Sequence, residues 1–141
     1  MSNTIARLRP LPDPVTARPI TDGVRIGHVH LKVADLERAL SFYCGILGFE
    51  LLQRRGREAA FISAGGYHHH IGLNTWAGVG APPPPSDAIG LRHFTIELPG
   101  ATARDQVVDR LRNAAIPVET VGEAILTRDP SSNAILLATR A

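Results

Sequence analysis

Two segments of the chain alternate polar with apolar side chains, and the second follows the first by about 65 residues. They are residues 25–33 and residues 91–98, which carry His28 and His93 at matching positions. Such alternation is typical of strands that bury one face. Each segment is followed by a helical pattern and then by further strand-like segments, so the sequence predicts an internal duplication.

In the first unit, Asp35 is a suitable helix N-cap and Gly48 a suitable helix end. Apolar side chains recur between them at helical spacing. Three strands are predicted next, at residues 49–54, 57–63 and 67–76, separated by glycine turns. In the second unit a helix is expected to start near Thr102, with Asp105 completing a capping box. Its strands are predicted at residues 118–121, 123–128 and 134–139.

The predicted fold class is therefore α+β, with two βαβββ modules that form a curved, mostly antiparallel sheet around a cleft and helices outside. Module 1 is expected at about residues 24–76 and module 2 at about residues 91–139. The linker between them, residues 77–90, contains four consecutive prolines. Residues 1–23 contain four more prolines and are expected to form an extended tail.

Composition excludes several classes of protein. The formal net charge is only +2, and the cationic side chains are scattered along the chain, so a nucleic-acid partner is not expected. No apolar stretch is long enough to predict a membrane span. The chain has one cysteine, which excludes an internal disulfide, and its start lacks the apolar core of a secretory signal. We therefore expect a cytoplasmic protein.

All six histidines fall in three of the predicted strands. Imidazole is the commonest metal-binding side chain, and strands are rigid supports, so a metal site made of His28, His70 and His93 is chemically reasonable. The alternative is a set of half-buried histidines that form hydrogen bonds with the backbone. Spacing along the chain does not decide between these two interpretations.

The segment from Gly27 to Ala39, followed by Phe42-Tyr43 and by residues 47–49, resembles the opening motif of the vicinal oxygen chelate superfamily. That superfamily includes glyoxalase I, bleomycin-resistance proteins and extradiol dioxygenases. Residues 63–76 are similar to a segment of ring-cleaving catechol 2,3-dioxygenases, which have two module pairs where this chain has one. The resemblance extends from Val24 to about Leu137 and implies the paired βαβββ fold.

In that superfamily the metal ligands come from the first and fourth strands of each module and point into the cleft. The resemblance therefore implies His28 and His93 as first-strand ligands and His70 as a fourth-strand ligand. By strand alternation, His68 is expected to share the cleft face with His70, while His69 faces the other side.

The second module departs from the family pattern. Residues 129–137 resemble its Asp-Pro-x-Gly-Asn-x-Ile-Glu-Leu motif, but Leu136 stands where the ligand glutamate is expected. Three neutral imidazoles can still hold a divalent ion with an open position, and the ion then keeps its full charge. Fe²⁺ is the favoured cofactor, Zn²⁺ and Mn²⁺ are alternatives, and a metal-free protein is a further one.

The leading functional prediction is a metal-dependent, dioxygenase-like oxidoreductase that acts on a small catechol-like or other vicinal-oxygen substrate. His68 and His30 are the candidate proton-transfer groups. Asn74, Trp76 and Leu136 are the candidate substrate contacts. The runner-up is a metal-free binding protein of the bleomycin-resistance type, followed by a glyoxalase-type lyase or isomerase. The resemblance also implies a homodimer, in which exchanged modules complete each cleft.

Overall fold

The computed structural model of the protein describes residues 20–140. Most of the predicted N-terminal tail therefore lies outside the described residues. The first module contains these elements in chain order: β1 (Val29–Lys32), α1 (Leu36–Leu40) with a π-helical continuation (Ser41–Leu47), β2 (Glu50–Arg55), β3 (Ala59–Ser63) and β4 (Ile71–Asn74). The second module contains β5 (Phe94–Leu98), α2 (Ala101–Asn113), β6 (Glu119–Val121), β7 (Ala124–Arg128) and β8 (Ala134–Thr139).

The strands form two four-stranded sheets with the same internal order. The first sheet runs β1-β4-β3-β2 and the second runs β5-β8-β7-β6. In each sheet the first strand pairs parallel with the last, and the other pairs are antiparallel. The predicted α+β class of two βαβββ modules is confirmed. In the described part of the chain the two sheets are separate rather than joined in one sheet, and neither closes into a barrel.

The first helix begins and ends where the sequence predicts. The Asp35 side chain accepts a hydrogen bond from the backbone N–H of Arg38, and Gly48 ends the helix at φ +95°, a conformation that glycine adopts without strain. The second helix differs from the prediction. It begins at Ala101 without a side-chain cap, so Thr102 lies inside the helix and the predicted capping box is wrong.

One hydrophobic core spans both modules. Both helices pack against one face of the sheets, α2 contacts the π-helical continuation of α1, and a single cluster contains buried side chains from α1, its π-helical continuation, α2 and both sheets. The opposite face of each sheet carries more exposed side chains. On β1, Leu31 is buried while its neighbour His30 is exposed, and on β5, Thr95 and Glu97 are exposed.

A buried polar network also joins the modules. The phenol of Tyr43, in the π-helical segment, donates to Asp129 Oδ2 at 2.9 Å across the boundary between modules. Asp129 also accepts from the backbone N–H groups of Ser131 and Asn133 and from the Asn133 amide. The same Asn133 amide donates to the Lys32 carbonyl at the end of β1. The turn before β8 is thereby attached to the first module.

The fourth strand of the first module is shorter than predicted. β4 begins only at Ile71, and residues 66–70 are neither helix nor strand. Gly65 and Gly66 both have positive φ, so the chain turns sharply before the three histidines. The alternation that applies inside a strand does not extend to His68, His69 and His70. Residues 75–93 also contain no helix or strand.

No helix in the described range 20–140 combines the length and the apolar character that crossing a bilayer requires.

Candidate metal centre

Three histidines converge at the exposed edge of the first sheet. Nitrogen atoms of His28, His30 and His69 all lie within 4.8 Å of one another, and within residues 20–140 this is the only group of three or more such ligands. The ring centroids of His28 and His69 are 4.5 Å apart, and those of His28 and His30 are 5.2 Å apart. Nitrogens around a tetrahedral Zn²⁺ are separated by about 3.4 Å, so small side-chain rotations bring these three into range.

The environment of His69 fits a metal ligand. Its Nε2 is buried and has no hydrogen-bond partner among residues 20–140, which is costly for a polar atom unless a ligand satisfies it. Burial lowers the pKa of His69, and the neighbouring imidazoles His28, His68 and His30 lower it further. The neutral ring keeps a free lone pair at neutral pH.

A glycine makes room for the second histidine. His30 pairs with Gly72 across β1 and β4, and a Cβ added at Gly72 would lie 2.8 Å from His30 Cε1 and Nε2. Any side chain at this position would therefore displace the imidazole. Gly72 allows the His30 ring to lie over the neighbouring strand beside His69.

Two larger aromatic rings flank the histidines. The Phe61 ring centroid lies 5.1 Å from that of His69 and 6.0 Å from that of His30. The Trp76 ring lies 6.5 Å from His30 and is tilted by 36° relative to it, and Trp76 is 60% exposed. These rings offer flat apolar surfaces to a planar ligand next to the nitrogen atoms.

His70 is held in a different environment. Its Nδ1 lies 3.1 Å from Ser63 Oγ and accepts from the Ala64 backbone N–H at 3.2 Å. Its ring lies 4.5 Å from that of Tyr67, and its backbone N–H donates to Ile62. The structure thus groups His69, rather than His70, with His28, because the irregular backbone before β4 removes the alternation on which the expectation rested. The proposed ligand role of His70 stays a prediction.

His93 is exposed immediately before β5 and lies outside the three-histidine group. The structure does not bring together the predicted set of His28, His70 and His93 as one group within this chain. Its role as a ligand also stays a prediction.

The duplication identifies the fourth-strand positions. The two parallel pairs have the same register, with Val29 opposite Ile71 and His30 opposite Gly72 in the first module, and Phe94 opposite Ile135 and Thr95 opposite Leu136 in the second. Leu136 therefore corresponds to Gly72, not to His70. Neither module offers a carboxylate there, which agrees with the all-imidazole composition of the group.

The other predicted site residues lie at different distances from the group. The His68 ring is 4.7 Å from that of His69 and 6.5 Å from that of His28, so it borders the group. Asn74 ends β4 opposite Lys32, and its Oδ1 accepts from the Trp76 backbone N–H. Leu136 is half-buried on β8 in the other sheet. The sequence predictions did not include His69 or Phe61 in the site and gave His30 a proton-transfer role; the glycine opposite His30 was the available signal for the position of that ring.

A cavity of about 900 Å³ lies between the modules. Its walls are mainly apolar and come from the start of β1, the loop after the π-helical segment, and β5 with the segments packed against it. His28 and His70 reach this cavity, whereas His93 and Leu136 do not line it. Its charged lining groups are Arg25, Glu97 and Arg140.

The sequence model of one protein family, the Glyoxalase/Bleomycin resistance protein/Dioxygenase superfamily, matches residues 25–135 of the chain. The chain belongs to this superfamily. The match covers both modules and so agrees with the observed duplication of strand order.

One curated relative is a catechol-2,3-dioxygenase of Bacillus subtilis strain 168, which is 46% identical over 112 residues. That alignment covers 79% of this chain but 39% of the relative. The chain therefore spans about two fifths of the length of the dioxygenase to which it is similar.

Solved structures of the superfamily share the fold. A lactoylglutathione lyase from Agrobacterium tumefaciens aligns with a TM-score of 0.66 at 20% identity, covering 84% of this chain and 96% of the other. A glyoxalase/bleomycin resistance protein/dioxygenase domain from Frankia sp. EAN1pec aligns with a TM-score of 0.65 at 22% identity, covering 84% and 98%. At these identities the similarity concerns the fold alone.

Proposed function

We propose that the protein is a metal-dependent, dioxygenase-like oxidoreductase that binds its divalent ion through His28, His30 and His69 and acts on a catechol-like or other vicinal-oxygen compound. The observation that carries the proposal is the convergence of three imidazoles around a buried, unpartnered His69 Nε2. The similarity to a catechol-2,3-dioxygenase supports the substrate class.

The donor set suits a diol that binds as an anion. When bound, a divalent ion would supply Lewis acidity to two adjacent substrate oxygens and would orient dioxygen, with Fe²⁺ the favoured ion and Zn²⁺ or Mn²⁺ the alternatives. Three neutral imidazoles do not reduce the charge of the ion, so negative charge on the substrate is strongly favoured. Phe61 and Trp76 restrict the substrate ring to the space beside the histidines.

His68 is the proposed proton-transfer group. It borders the three histidines without belonging to the group, and imidazole is the side chain that most often serves as a general acid or base. His30 was the other candidate in the sequence, and its position within the group favours ligation over proton transfer. Asn74 and Trp76 contact the substrate from the end of β4 in this proposal.

Metal analysis of protein purified without a tag tests the site. After reconstitution with Fe²⁺ or Zn²⁺ and dialysis, we expect about one ion per chain. His28→Ala and His69→Ala should abolish this binding. His93→Ala is the matched control, because it removes one imidazole that lies outside the group. Binding that persists in His69→Ala and disappears in His93→Ala would refute the assignment of the ligands.

The reaction is tested separately. Iron-loaded protein is kept anaerobic, mixed with a panel of catechols and then given oxygen. The proposal predicts oxygen consumption together with the absorbance of a ring-cleaved product. A chain that binds iron but leaves every catechol intact would retain the metal site and lose the proposed oxygenation.

A metal-free binding protein is the second candidate function. The apolar cavity of about 900 Å³ between the modules is large enough for a drug-sized molecule. Gly72 and Leu136, which occupy the two fourth-strand positions, have no side chain that can coordinate a metal, and this suits a small-molecule binding protein better than a metal-dependent enzyme. Failure to retain any ion, combined with tight binding of an apolar aromatic probe, would favour this function.

We further propose that two copies form a homodimer in the cytoplasm and that each covers the open histidine face of the other. The exposure of His28, His30 and Trp76, together with exposed Val79, Ile89 and Leu91, supports this arrangement. Sedimentation velocity at micromolar concentration measures the state, and a monomer at all concentrations would contradict it.

A further inference from the structure

The chain contains a single lysine among its 15 lysine and arginine residues, and this lysine follows His30 by two positions. Lys32 is the last residue of β1. It follows His30 at an alternate position, so the two occupy the same face of the strand, while Leu31 and Val33 between and after them are buried in the core. A cationic side chain is therefore the next one along this face of the strand after the imidazole of His30.

The ammonium group is held in place but keeps most of its hydrogen-bonding capacity. Lys32 Nζ donates to the carbonyl of Pro82 in the linker at 2.8 Å. An ammonium has three donors, so one neutral carbonyl leaves the others available. Within residues 20–140 no carboxylate forms a salt bridge with Lys32. Among the residues that the structure describes, the positive charge is thus positioned without a counter-ion.

The linker keeps this group near the ligand face. The Gly80 backbone N–H donates to the carbonyl of Ala34, two residues beyond Lys32. Trp76, at the start of the same segment, lies against His30. Asn74 is directly opposite Lys32 across the parallel pair, which adds a polar amide to this end of the face.

The spacing suits a substituted benzene ring. Two residues along a strand that is paired in parallel cover about 6.6 Å, which is comparable to the span of a benzene ring together with its substituents. Phe61 lies opposite Gly72, which lies opposite His30, so Phe61 is level with His30. Lys32 is two residues further along β1. A ligand that matches this arrangement has vicinal oxygens toward the histidines, an aromatic ring beside Phe61 and Trp76, and an anionic substituent toward Lys32.

We infer that Lys32 is a specificity-determining residue that selects vicinal diols bearing a carboxylate or another anionic group on the ring. The inference rests on the proposed function and deepens it, since it names the substrate class of the same site. No covalent step involves Lys32, whose role is to bind the anionic group and so to orient the diol toward the histidines.

Binding to zinc-loaded protein tests the inference without turnover, because Zn²⁺ has no redox chemistry. Calorimetry compares 3,4-dihydroxybenzoate with its neutral counterpart 3,4-dihydroxybenzamide. We expect the wild-type chain to prefer the carboxylate by about five- to tenfold, which is the range for a charge-assisted hydrogen bond that is only partly buried. Lys32→Gln should reduce the preference to less than about twofold, and Lys32→Arg should restore most of it.

Arg55→Gln is the matched control. It removes one positive charge from β2, which lies three strands away from β1 in the same sheet, and the preference should persist. Equal affinities of the wild-type chain for the two compounds, or a preference that survives Lys32→Gln, would overturn the inference and leave the proposed function standing. If neither compound binds to zinc-loaded protein, the inference fails, and the catechol panel with iron-loaded protein decides whether the proposed function stands.

Discussion

At the scale of single residues, the geometry of the metal site depends on a glycine, Gly72. Gly72 lies opposite His30, and the His30 ring occupies the space where a Cβ would be. The sequence indicates that histidines are concentrated in this sheet, but it does not reveal which of three consecutive histidines joins His28. That choice depends on the backbone that follows the turn at Gly65 and Gly66, where residues 66–70 are neither helix nor strand.

Gly72→Ala should therefore weaken metal binding more than it weakens the fold. The added methyl group displaces the His30 ring, which can rotate away, so the free energy of unfolding should change by less than about 1 kcal/mol. Metal affinity, measured by competition with a chromophoric chelator, should fall by tenfold or more for the loss of one imidazole ligand. Gly45→Ala is the control, because a Cβ there meets nothing within 4 Å. Unchanged affinity in Gly72→Ala would exclude His30 as a ligand.

Tyr43 supplies a prediction about pH. Burial raises the pKa of its phenol far above the ordinary value, and the neighbouring Asp129 carboxylate and their hydrogen bond raise it further. In the unfolded chain the phenol ionises near pH 10, so the folded state binds the proton more tightly above that pH. The stability that this proton contributes is complete below pH 10 and is lost as the pH rises above it.

Tyr43→Phe should lower the free energy of unfolding by about 1.5–3 kcal/mol at pH 7, because it removes a buried hydrogen bond to a charged acceptor. Urea denaturation followed by circular dichroism measures this change. The variant should also lose part of the decline in stability above pH 10. An identical alkaline decline in both proteins would mean that Tyr43 does not carry it.

At the scale of elements, the turn before β8 holds the two modules together. Asp129 accepts four hydrogen bonds, one of them from the first module, and Asn133 extends the network to the β1 carbonyl of Lys32. The sequence predicts this turn and its acidic residue from local chemistry alone. It does not predict that Tyr43 is the partner, because the two residues are 86 positions apart and meet only where the modules pack together.

Asp129→Ala should cost more stability than Tyr43→Phe. It leaves the buried Tyr43 hydroxyl and two backbone N–H groups without their acceptor, and such losses typically add up to about 3–5 kcal/mol. Urea midpoints of the two variants are compared under the same conditions. A smaller loss in Asp129→Ala than in Tyr43→Phe would show that the turn is not an essential connection between modules.

The strands and helices themselves were largely predictable. Alternation identified β1 and β5, and Asp35 and Gly48 identified the limits of the first helix. The predicted length of the fourth strand was too great, because His68, His69 and His70, between Tyr67 and Ile71, fit a strand pattern when only the local sequence is considered. Their backbone is irregular instead, and this is why His69 reaches the group.

At the scale of the whole molecule, the modules share one core and should unfold together. Leu111 on α2 is fully buried in the cluster that includes side chains of both sheets. The single tryptophan, Trp76, reports on the first module, while far-UV circular dichroism reports on both. We expect the two probes to give coincident urea transitions.

Leu111→Ala should shift both transitions equally, with a loss of about 2–5 kcal/mol. Because the core is shared, the loss of packing in the second module should also destabilise the first module, which contains the tryptophan. A tryptophan transition that stays in place while the circular dichroism transition splits would mean that the modules fold independently.

The most direct measurement is the crystal structure of the zinc-loaded protein, with diffraction recorded on both sides of the zinc absorption edge. The anomalous peak should lie about 2.1 Å from one nitrogen of each of His28, His30 and His69. A peak coordinated by His70 or His93 in place of His69, or no peak at this edge of the first sheet, would contradict the three-histidine metal centre.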